Sequence, residues 1–282
     1  GDLDNGRPGW QGEHTGSGGT VPTTPRLWAP AGLTLLALWP ADHTGQIQFN
    51  ANNITLDCAG HKISYTAANT NGCGSGGTLR CGIRAENRSG ITIKNCEVTG
   101  AYNYGVWIAG TTSSVVDHVT ARSNAVGFRI EDSDLLTIRY SAAITCTGGG
   151  YEIRDSSDLT MFADSAVSNE GDGIDVNDSS YVNIQQAQVL DNGVNGIEFD
   201  GGPHASVGSS TIRYNGQHGL SLDPSGTDVV TFPCSAFSVS SNFVEFNIED
   251  GIRLQNCGTP PGLVGGSGPM KYHVALPNNF CA

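Results

Sequence analysis

A glycine followed by an apolar residue recurs along most of the chain, and its spacing constrains the fold more than any other feature. The glycines, called anchor glycines below, are Gly82, Gly105, Gly127, Gly150, Gly173, Gly196, Gly219 and Gly251. They are 22 or 23 residues apart, except for a last interval of 32 residues. Each repeat also holds shorter alternating runs, such as Ala187-Gln188-Val189. Three short runs of period two per repeat predict three strands separated by turns, and no run is long enough for a helix.

Stacked repeats would pair each strand with its equivalent in the next repeat, which predicts an all-β chain of parallel coils. With 39 Gly among 282 residues and only 15% charged residues, the composition favours short strands and tight turns. The pattern resembles the right-handed parallel β-helix superfamily, which includes pectate lyases and polygalacturonases. We therefore predict a single right-handed parallel β-helix with 22–23 residue coils and an extended N-terminal arm. The predicted segments are an arm at 1–26, an N-terminal cap at 27–46, the β-helix at 47–257 and a C-terminal segment at 258–282.

Position within the repeat predicts which side chains face the interior. The residue after each anchor glycine should point inward, and the next one should point outward. The predicted interior column is Ile83, Val106, Phe128, Tyr151, Ile174, Ile197 and Leu220. Asparagines also recur four residues before an anchor glycine, at Asn169, Asn192, Asn215 and Asn247, and should form an amide ladder inside one turn.

The charge balance limits the possible partners. The chain has 14 basic and 27 acidic residues, and a net charge of −13 repels nucleic acid and anionic membrane surfaces. The longest apolar stretch, 27–39, contains Pro30 and Gly32 and is too short to cross a bilayer. We therefore expect no nucleic-acid partner and no membrane span.

Eight cysteines without a CxxC pair predict disulfides formed in an oxidising compartment rather than a metal site. We expect all eight to be paired, with Cys73 and Cys81 closing a local loop. The cysteines are Cys58, Cys73, Cys81, Cys96, Cys146, Cys234, Cys257 and Cys281. Glycosylation acceptor patterns begin at Asn53, Asn87 and Asn177. These features predict a secreted, extracellular or cell-surface glycoprotein.

The outward position two residues after each anchor glycine carries charge. From coil to coil it reads Arg84, Trp107, Arg129, Glu152, Asp175, Glu198, Ser221 and Arg253. Three carboxylates on adjacent strands repel one another unless a cation or a raised pKa relieves them. Glu152, Asp175 and Glu198 are therefore candidate Ca²⁺ ligands or a candidate catalytic acid pair, and the remaining interpretation is a solvated acidic surface. No cofactor other than Ca²⁺ is indicated.

Short motifs on successive coils resemble those of polygalacturonases. The segment Asp172-Gly173-Ile174-Asp175 resembles their Asn-Thr-Asp-Gly-Ile-Asp motif. The segment at 218–221 resembles their Gly-His-Gly motif, and the segment at 251–254 resembles their Arg-Ile-Lys motif. The resemblance implies, for an enzyme, the catalytic candidates Asp172, Asp175, Glu198, His218 and Arg253.

The chain departs from that family at the coil between these motifs. An aspartate pair is expected there, and the chain has Val194-Asn195 instead. Gln255 also stands where the family has lysine. In a hydrolase, Asp172 with Glu198 or Asp200 would have to replace the missing carboxylates. A lyase would need Ca²⁺ with an arginine base, for which Arg129 is the grouped candidate.

Aromatic side chains near one coil, Tyr102, Tyr104 and Trp107, are candidates for a platform that stacks on sugar rings. The regular coil length leaves no room for long loops that would wall a cleft. Regularity therefore favours a secreted structural or surface subunit that assembles with copies of itself through its coil ends and its arm, the arm being held by a neighbouring copy. The alternatives are a polysaccharide lyase or glycoside hydrolase that uses the acidic face, and a non-catalytic carbohydrate-binding module.

Overall fold

The computed structural model describes residues 45–65, 81–223 and 237–254, together with the backbone of five short strands outside these ranges. The described residues form strands and turns without a helix. The strands, numbered in chain order, are β1 Trp10–Gln11, β2 Arg26–Leu27, β3 Leu35–Leu38, β4 His43–Thr44, β5 Ile47–Phe49, β6 Ile54–Asp57, β7 Lys62–Ser64, β8 Cys81–Glu86, β9 Thr92–Thr99, β10 Tyr104–Ala109, β11 Thr112–Arg122, β12 Val126–Glu131, β13 Asp134–Arg139, β14 Ala142–Ile144, β15 Tyr151–Arg154, β16 Thr160–Phe162, β17 Ser165–Val167, β18 Ile174–Asn177, β19 Asn183–Gln185, β20 Gln188–Leu190, β21 Ile197–Asp200, β22 Ser206–Gly208, β23 Thr211–Arg213, β24 Leu220–Asp223, β25 Ser238–Ser240, β26 Phe243–Glu245, β27 Ile252–Leu254 and β28 Val274–Ala275.

The strands stack into two sheets that enclose one core. Sheet A takes one strand from each coil, in the order β1-β2-β5-β8-β10-β12-β15-β18-β21-β24-β27-β28. Sheet B is made of the other strands of the coils and has sixteen members. Neighbouring strands of successive coils run parallel, as the repeat predicts, so the single parallel β-helix is confirmed. No helix among the residues described here could span a bilayer.

The predicted interior column is confirmed. Phe128 pairs with Tyr151, and the register then steps one repeat at a time through Ile174 and Ile197 to Leu220. All seven predicted side chains are at most 1% exposed. The rings of Phe128 and Tyr151 stack with centroids 4.6 Å apart. A spacing of one repeat per strand therefore places equivalent residues directly above one another.

The repeated glycines are required by close approach between coils. A Cβ built on Gly173 would lie 2.6 Å from the carbonyl oxygen of Gly196. A Cβ on Gly196 would lie 2.5 Å from the carbonyl oxygen of Gly219. Carbon and oxygen cannot approach this closely, so a side chain at either position would force the coils apart.

The asparagine ladder is also confirmed. The side-chain amide of Asn169 donates to Oδ1 of Asn192 at 2.9 Å, and Asn192 donates to Asn215 at 3.0 Å. Asn215 continues the series by donating to Asn247 at 2.9 Å. The ladder therefore satisfies polar groups that are otherwise enclosed by apolar side chains.

The cysteines follow the prediction only in part. Cys58 and Cys96 form a disulfide, and Cys81 is also disulfide-bonded. Cys146 is a buried free thiol, so the expectation that all eight cysteines are paired is wrong. The remaining cysteines, Cys73, Cys234, Cys257 and Cys281, lie outside the described residues, and the proposed pairing of Cys73 with Cys81 stays a prediction.

Cys146 occupies the asparagine position of its own coil, four residues before Gly150. Its backbone N–H donates to Oδ1 of Asn169 at 3.0 Å, as a ladder residue does. Its thiol is directed at the carbonyl oxygen of Ala121 at 3.9 Å, whereas Asn169 bonds the equivalent Ala143 at 3.2 Å. Burial raises the pKa of this thiol. Cys146 is therefore the position at which the ladder is interrupted.

Replacing Cys146 by Asn should complete the ladder and stabilise the fold. The new amide would reach the Ala121 carbonyl and Oδ1 of Asn169, and two buried hydrogen bonds contribute about 1–2 kcal/mol to the free energy of unfolding. Urea unfolding of Cys146→Asn and of a matched Cys146→Ala variant measures the difference. Equal stability of the two variants would contradict a ladder role for this position.

Strand pairing continues on both sides of the predicted β-helix. Arg26–Leu27 pairs in parallel with Gln48 and Phe49, and Trp10–Gln11 pairs antiparallel with Arg26–Leu27. Strand β2, at the end of the predicted arm, pairs with this chain's own coil, and β1 pairs with β2. Contact of the arm with a neighbouring copy stays a prediction. The open edge of a coil offers unpaired N–H and C=O groups, and a segment of the same chain reaches them without loss of translational freedom.

Candidate functional site

The three predicted carboxylates lie on successive strands of sheet A. Glu152 pairs in register with Asp175, and Asp175 pairs with Glu198. All three side chains are half-buried. Adjacent strands lie about 4.8 Å apart, so the carboxylates repel one another. These outward residues of β15, β18 and β21 are called the acidic face below.

A polar ladder runs through the turn that precedes these strands. Its members stand directly before their anchor glycines and are Asp172, Asn195, His218 and Asp250. Oδ1 of Asp172 accepts from the backbone N–H of Asn195 at 2.7 Å. Oδ1 of Asn195 accepts from the backbone N–H of His218 at 3.2 Å. The ladder thus fixes Asp172 and His218 relative to each other across two coils.

His218 connects this ladder to Arg253. Nη1 of Arg253 lies 3.0 Å from Nε2 of the imidazole, and Oδ2 of Asp250 lies 3.3 Å from Nδ1. The backbone N–H of Asp250 also points at Nδ1 at 3.3 Å, and Oε2 of Glu249 lies 3.3 Å from Nε2. Each ring nitrogen therefore faces both a donor and a carboxylate, and the contacts fit either tautomer. Burial, together with the positive charge of Arg253, lowers the pKa of His218. The neutral form is therefore favoured at this site at neutral pH.

The pKa values of the carboxyl groups at this site are raised, whereas that of His218 is lowered. Burial, followed by the charges of Asp172, Glu198 and Glu152, raises the pKa of Asp175 to about 7. Burial is also the first cause of the raised pKa of Asp172 and of Glu198. Asn177 donates to Oδ1 of Asp175 at 2.7 Å. The acidic face can therefore hold a proton near neutral pH beside an ionised carboxylate.

Arg129 closes one end of the acidic face. Its Nη1 lies 2.7 Å from Oε2 of Glu152, and its Nη2 lies 3.5 Å from Oε1 of Glu131. The guanidinium group is buried, so its charge is neutralised inside the protein. Within the part of the chain that the structure describes, no three His, Cys, Asp or Glu side chains are grouped closely enough to hold a metal ion. Calcium binding by Glu152, Asp175 and Glu198 stays a prediction.

This calcium prediction has a thermodynamic test. An ion that binds only the folded state at a hundred times its Kd stabilises it by about 2.7 kcal/mol. Chelation should then lower the melting temperature of the wild type and leave that of Asp175→Asn unchanged. Equal melting of the wild type with and without chelator would return the three residues to the interpretation as surface carboxylates.

The predicted aromatic platform does not form as expected. Trp107 is only 5% exposed, and the guanidinium of Arg84 lies over its ring at 5.3 Å. Tyr104 is half-buried and packs against the cluster that contains Trp107, and Tyr102 is 70% exposed. The expectation that Trp107 is an exposed stacking surface is therefore wrong, and a sugar contact at Tyr102 stays a prediction.

The structure places all five catalytic candidates on one face spanning four coils. Asp172, Asp175 and Glu198 influence one another electrostatically, while His218 and Arg253 are in contact two coils further along the chain. Sequence reasoning treated Asn195 only as a departure from a motif, yet it bridges Asp172 and His218. Its signal was its place before an anchor glycine, which it shares with both. The catalytic roles stay predictions.

The glycosylation candidates differ in accessibility. Asn53 and Asn87 are exposed and adopt left-handed backbone angles, with φ of 57° and 52°. Asn177 is half-buried and its amide bonds Asp175. Glycan attachment at these three residues stays a prediction.

Comparison with known proteins identifies the family. A family described as a right handed beta helix region matches residues 47–197 and 162–264, so the chain belongs to this right-handed β-helix family. A comparison with curated proteins gives no significant match.

Three solved structures show the same fold. The A-module of mannuronan C-5 epimerase AlgE6 from Azotobacter vinelandii aligns with a TM-score of 0.58 at 17% identity, over 82% of this chain and 69% of that one. Pectate lyase Pel9A aligns with a TM-score of 0.55 at 14% sequence identity, over 78% of this chain and 63% of that one. The periplasmic alginate epimerase AlgG aligns with a TM-score of 0.53 at 16% sequence identity, over 72% of this chain and 50% of that one. The chain thus matches half of the length of AlgG, and at these identities the likeness concerns the fold.

Proposed function

We propose that this chain is a polysaccharide-acting enzyme that hydrolyses glycosidic bonds at the acidic face. The observation that carries the proposal is the position of Asp175, whose pKa is raised to about 7 and which stands directly opposite Glu198. Glycoside hydrolysis needs one protonated and one ionised carboxyl group on either side of the scissile bond. Different environments that push two carboxyl pKa values apart supply this pair.

The roles follow from proton affinity and spacing. Asp175 holds its proton near neutral pH and would donate it to the leaving oxygen. Burial raises the pKa of Glu198 as well, and this carboxyl in its ionised form would act as the nucleophile. The two residues lie on adjacent strands, whose spacing of about 4.8 Å is close to the roughly 5–5.5 Å between the carboxyl groups of retaining enzymes. The product should therefore keep the configuration of the cleaved bond, which proton NMR of fresh product measures.

A lyase is the second candidate, and the contact between His218 and Arg253 favours it. For elimination, Arg253 would turn from Nε2 of His218 to the substrate, and the freed nitrogen would take a proton from a sugar carbon. The guanidinium would stabilise the charge that develops, and the glycosidic oxygen on the neighbouring carbon would leave. The alginate epimerases and the pectate lyase that share the fold are named for polysaccharide substrates, which supports polysaccharide as the substrate class in both candidates.

The two candidates give different products. Hydrolysis yields new reducing ends without ultraviolet absorbance, whereas elimination yields unsaturated, absorbing ends. Incubation of the purified protein with polysaccharides, followed by a reducing-end assay and an absorbance scan, separates them. Cleavage of no polysaccharide, together with filaments in the electron microscope, would contradict the enzyme proposal and support the self-assembling subunit.

Secretion is part of the same proposal. The disulfide between Cys58 and Cys96 requires an oxidising compartment to form and persist. Large polysaccharides are also met outside the cytoplasm. Fractionation of the producing cells with an antibody against the chain tests this placement.

A further inference from the structure

We infer that the glycan bound by the acidic face is electrically neutral, rather than a polymer of uronic or sulfated sugars. This inference rests on the proposed hydrolase function and specifies its substrate class. It is drawn from the charges that line sheet A between β15 and β24, where the catalytic candidates lie.

Carboxylates dominate this stretch of sheet A. Its eight outward positions carry five acids, one arginine and two neutral residues, which are Glu152, Arg154, Asp175, Asn177, Glu198, Asp200, Ser221 and Asp223. Asp172 adds a sixth acid from the preceding turn. A polyanion laid along these strands would meet like charges on successive rungs, which opposes binding.

The flanking arginines are already engaged with groups of the protein. Arg129 is paired with Glu152 and Glu131, and Arg84 is paired with Glu86. Arg253 contacts His218. A substrate carboxylate would have to displace these contacts, and each displaced glutamate would be left half-buried without its cation. These three arginines are therefore poorly placed to hold an anionic sugar, and the exposed Arg154 is a single cation among the five acids of the face.

The same chemistry suits a neutral sugar. Ionised carboxylates only accept hydrogen bonds, and the hydroxyl groups of a neutral sugar supply donors. Asn177, which is half-buried, adds a neutral polar group on β18. The acidic face is thus rich in acceptors, which complements hydroxyl groups and opposes the acceptor oxygens of carboxylates and sulfates.

A matched set of polymers tests the inference. The substrates are a glucan, a galactan and a mannan, each compared with the same polymer after its primary hydroxyls have been oxidised to carboxylates. Polygalacturonate and alginate are included. We expect cleavage of a neutral polymer and a kcat/KM at least tenfold lower for its oxidised form at low salt, with part of the loss recovered as salt screens the repulsion.

A charge-removing variant separates electrostatics from shape. Asp223 lies on the same surface outside the assigned catalytic residues, so Asp223→Asn should narrow the ratio of kcat/KM between the neutral polymer and its oxidised form, and this ratio is the readout. Equal or faster cleavage of any oxidised polymer, of polygalacturonate or of alginate would overturn the neutral-glycan inference and leave the hydrolase proposal intact. Cleavage of none of the polymers would contradict both.

Discussion

Replacing Asp175 by Asn should lower kcat/KM on the cleaved polysaccharide by a factor of about 10² to 10⁴, the usual contribution of a positioned general acid. Asparagine keeps the size of the side chain and its contact with Asn177 but has no proton to give to the leaving oxygen. Single-turnover rates and kcat/KM of the variant measure the loss. Binding should change little, because the variant removes proton transfer rather than a contact.

The dependence of kcat/KM on pH is an independent test of Asp175 as the general acid. A general acid works only when protonated, and burial with the neighbouring carboxylates raises the pKa of Asp175 to about 7. The kcat/KM of the wild type should therefore fall above about pH 7, approaching tenfold per pH unit. Asp223→Asn is the control and should keep this profile. A rate that stays constant through this range, or full activity of Asp175→Asn, would remove Asp175 from the role of acid.

The fold could be predicted because one repeat corresponds to one rung of the sheets. Once the interval of 23 residues is known, counting from Gly173 places Ile174 inside and Asp175 outside without knowledge of any contact. The same counting brought Asp172, Glu198 and His218 to one face. The position of a residue within its repeat is therefore enough to predict which residue it pairs with in the next coil and whether its side chain faces the interior or the solvent.

Counting residues along the repeat does not predict the properties of a side chain that depend on its neighbours in other coils. Trp107 points outward as predicted, yet it is buried, with Arg84 across its ring and Tyr104 packed against its cluster. The even number of cysteines suggested complete pairing, but Cys146 occupies an interior ladder position. The proton affinity of Asp175 depends on charges from other coils, and these emerge only when the coils are stacked. The position in the repeat thus predicts whether a side chain points inward or outward. How buried that side chain is, and which charges surround it, can be read only from the folded structure.

Asp164 was not singled out by the sequence, and it has a large predicted effect on stability. It stands 14 residues after its anchor glycine, where other coils have Ser141 and Ser210, and it is 1% exposed. Its carboxylate accepts from the backbone N–H groups of Ser141 and Phe162 at 2.8 and 3.0 Å. Burial outweighs these bonds and raises its pKa from 3.8 to about 7.

The raised pKa makes stability depend on pH with a definite sign. Between about pH 4 and 7 the folded state binds a proton at Asp164 that the unfolded state has released, so stability falls as pH rises. At 1.36 kcal/mol per pKa unit, this group alone lowers the free energy of unfolding by about 3 kcal/mol between pH 5 and pH 8. Asp175 contributes in the same direction.

Asp164→Asn should therefore stabilise the protein at pH 8 by up to about 3 kcal/mol more than at pH 5, since it removes a buried charge. Asn242 occupies the equivalent position in the last described coil and accepts from Ser210, so an amide fits this ladder. Asp117→Asn is the control of opposite sign, because bonds from Arg139 and His118 outweigh burial and lower the pKa of Asp117. That variant should be less stable than the wild type at pH 8. Chemical unfolding of the three proteins at both pH values decides the matter, and an Asp164→Asn variant whose stability relative to the wild type is the same at pH 5 and pH 8 would show that Asp164 does not hold its proton in the folded state.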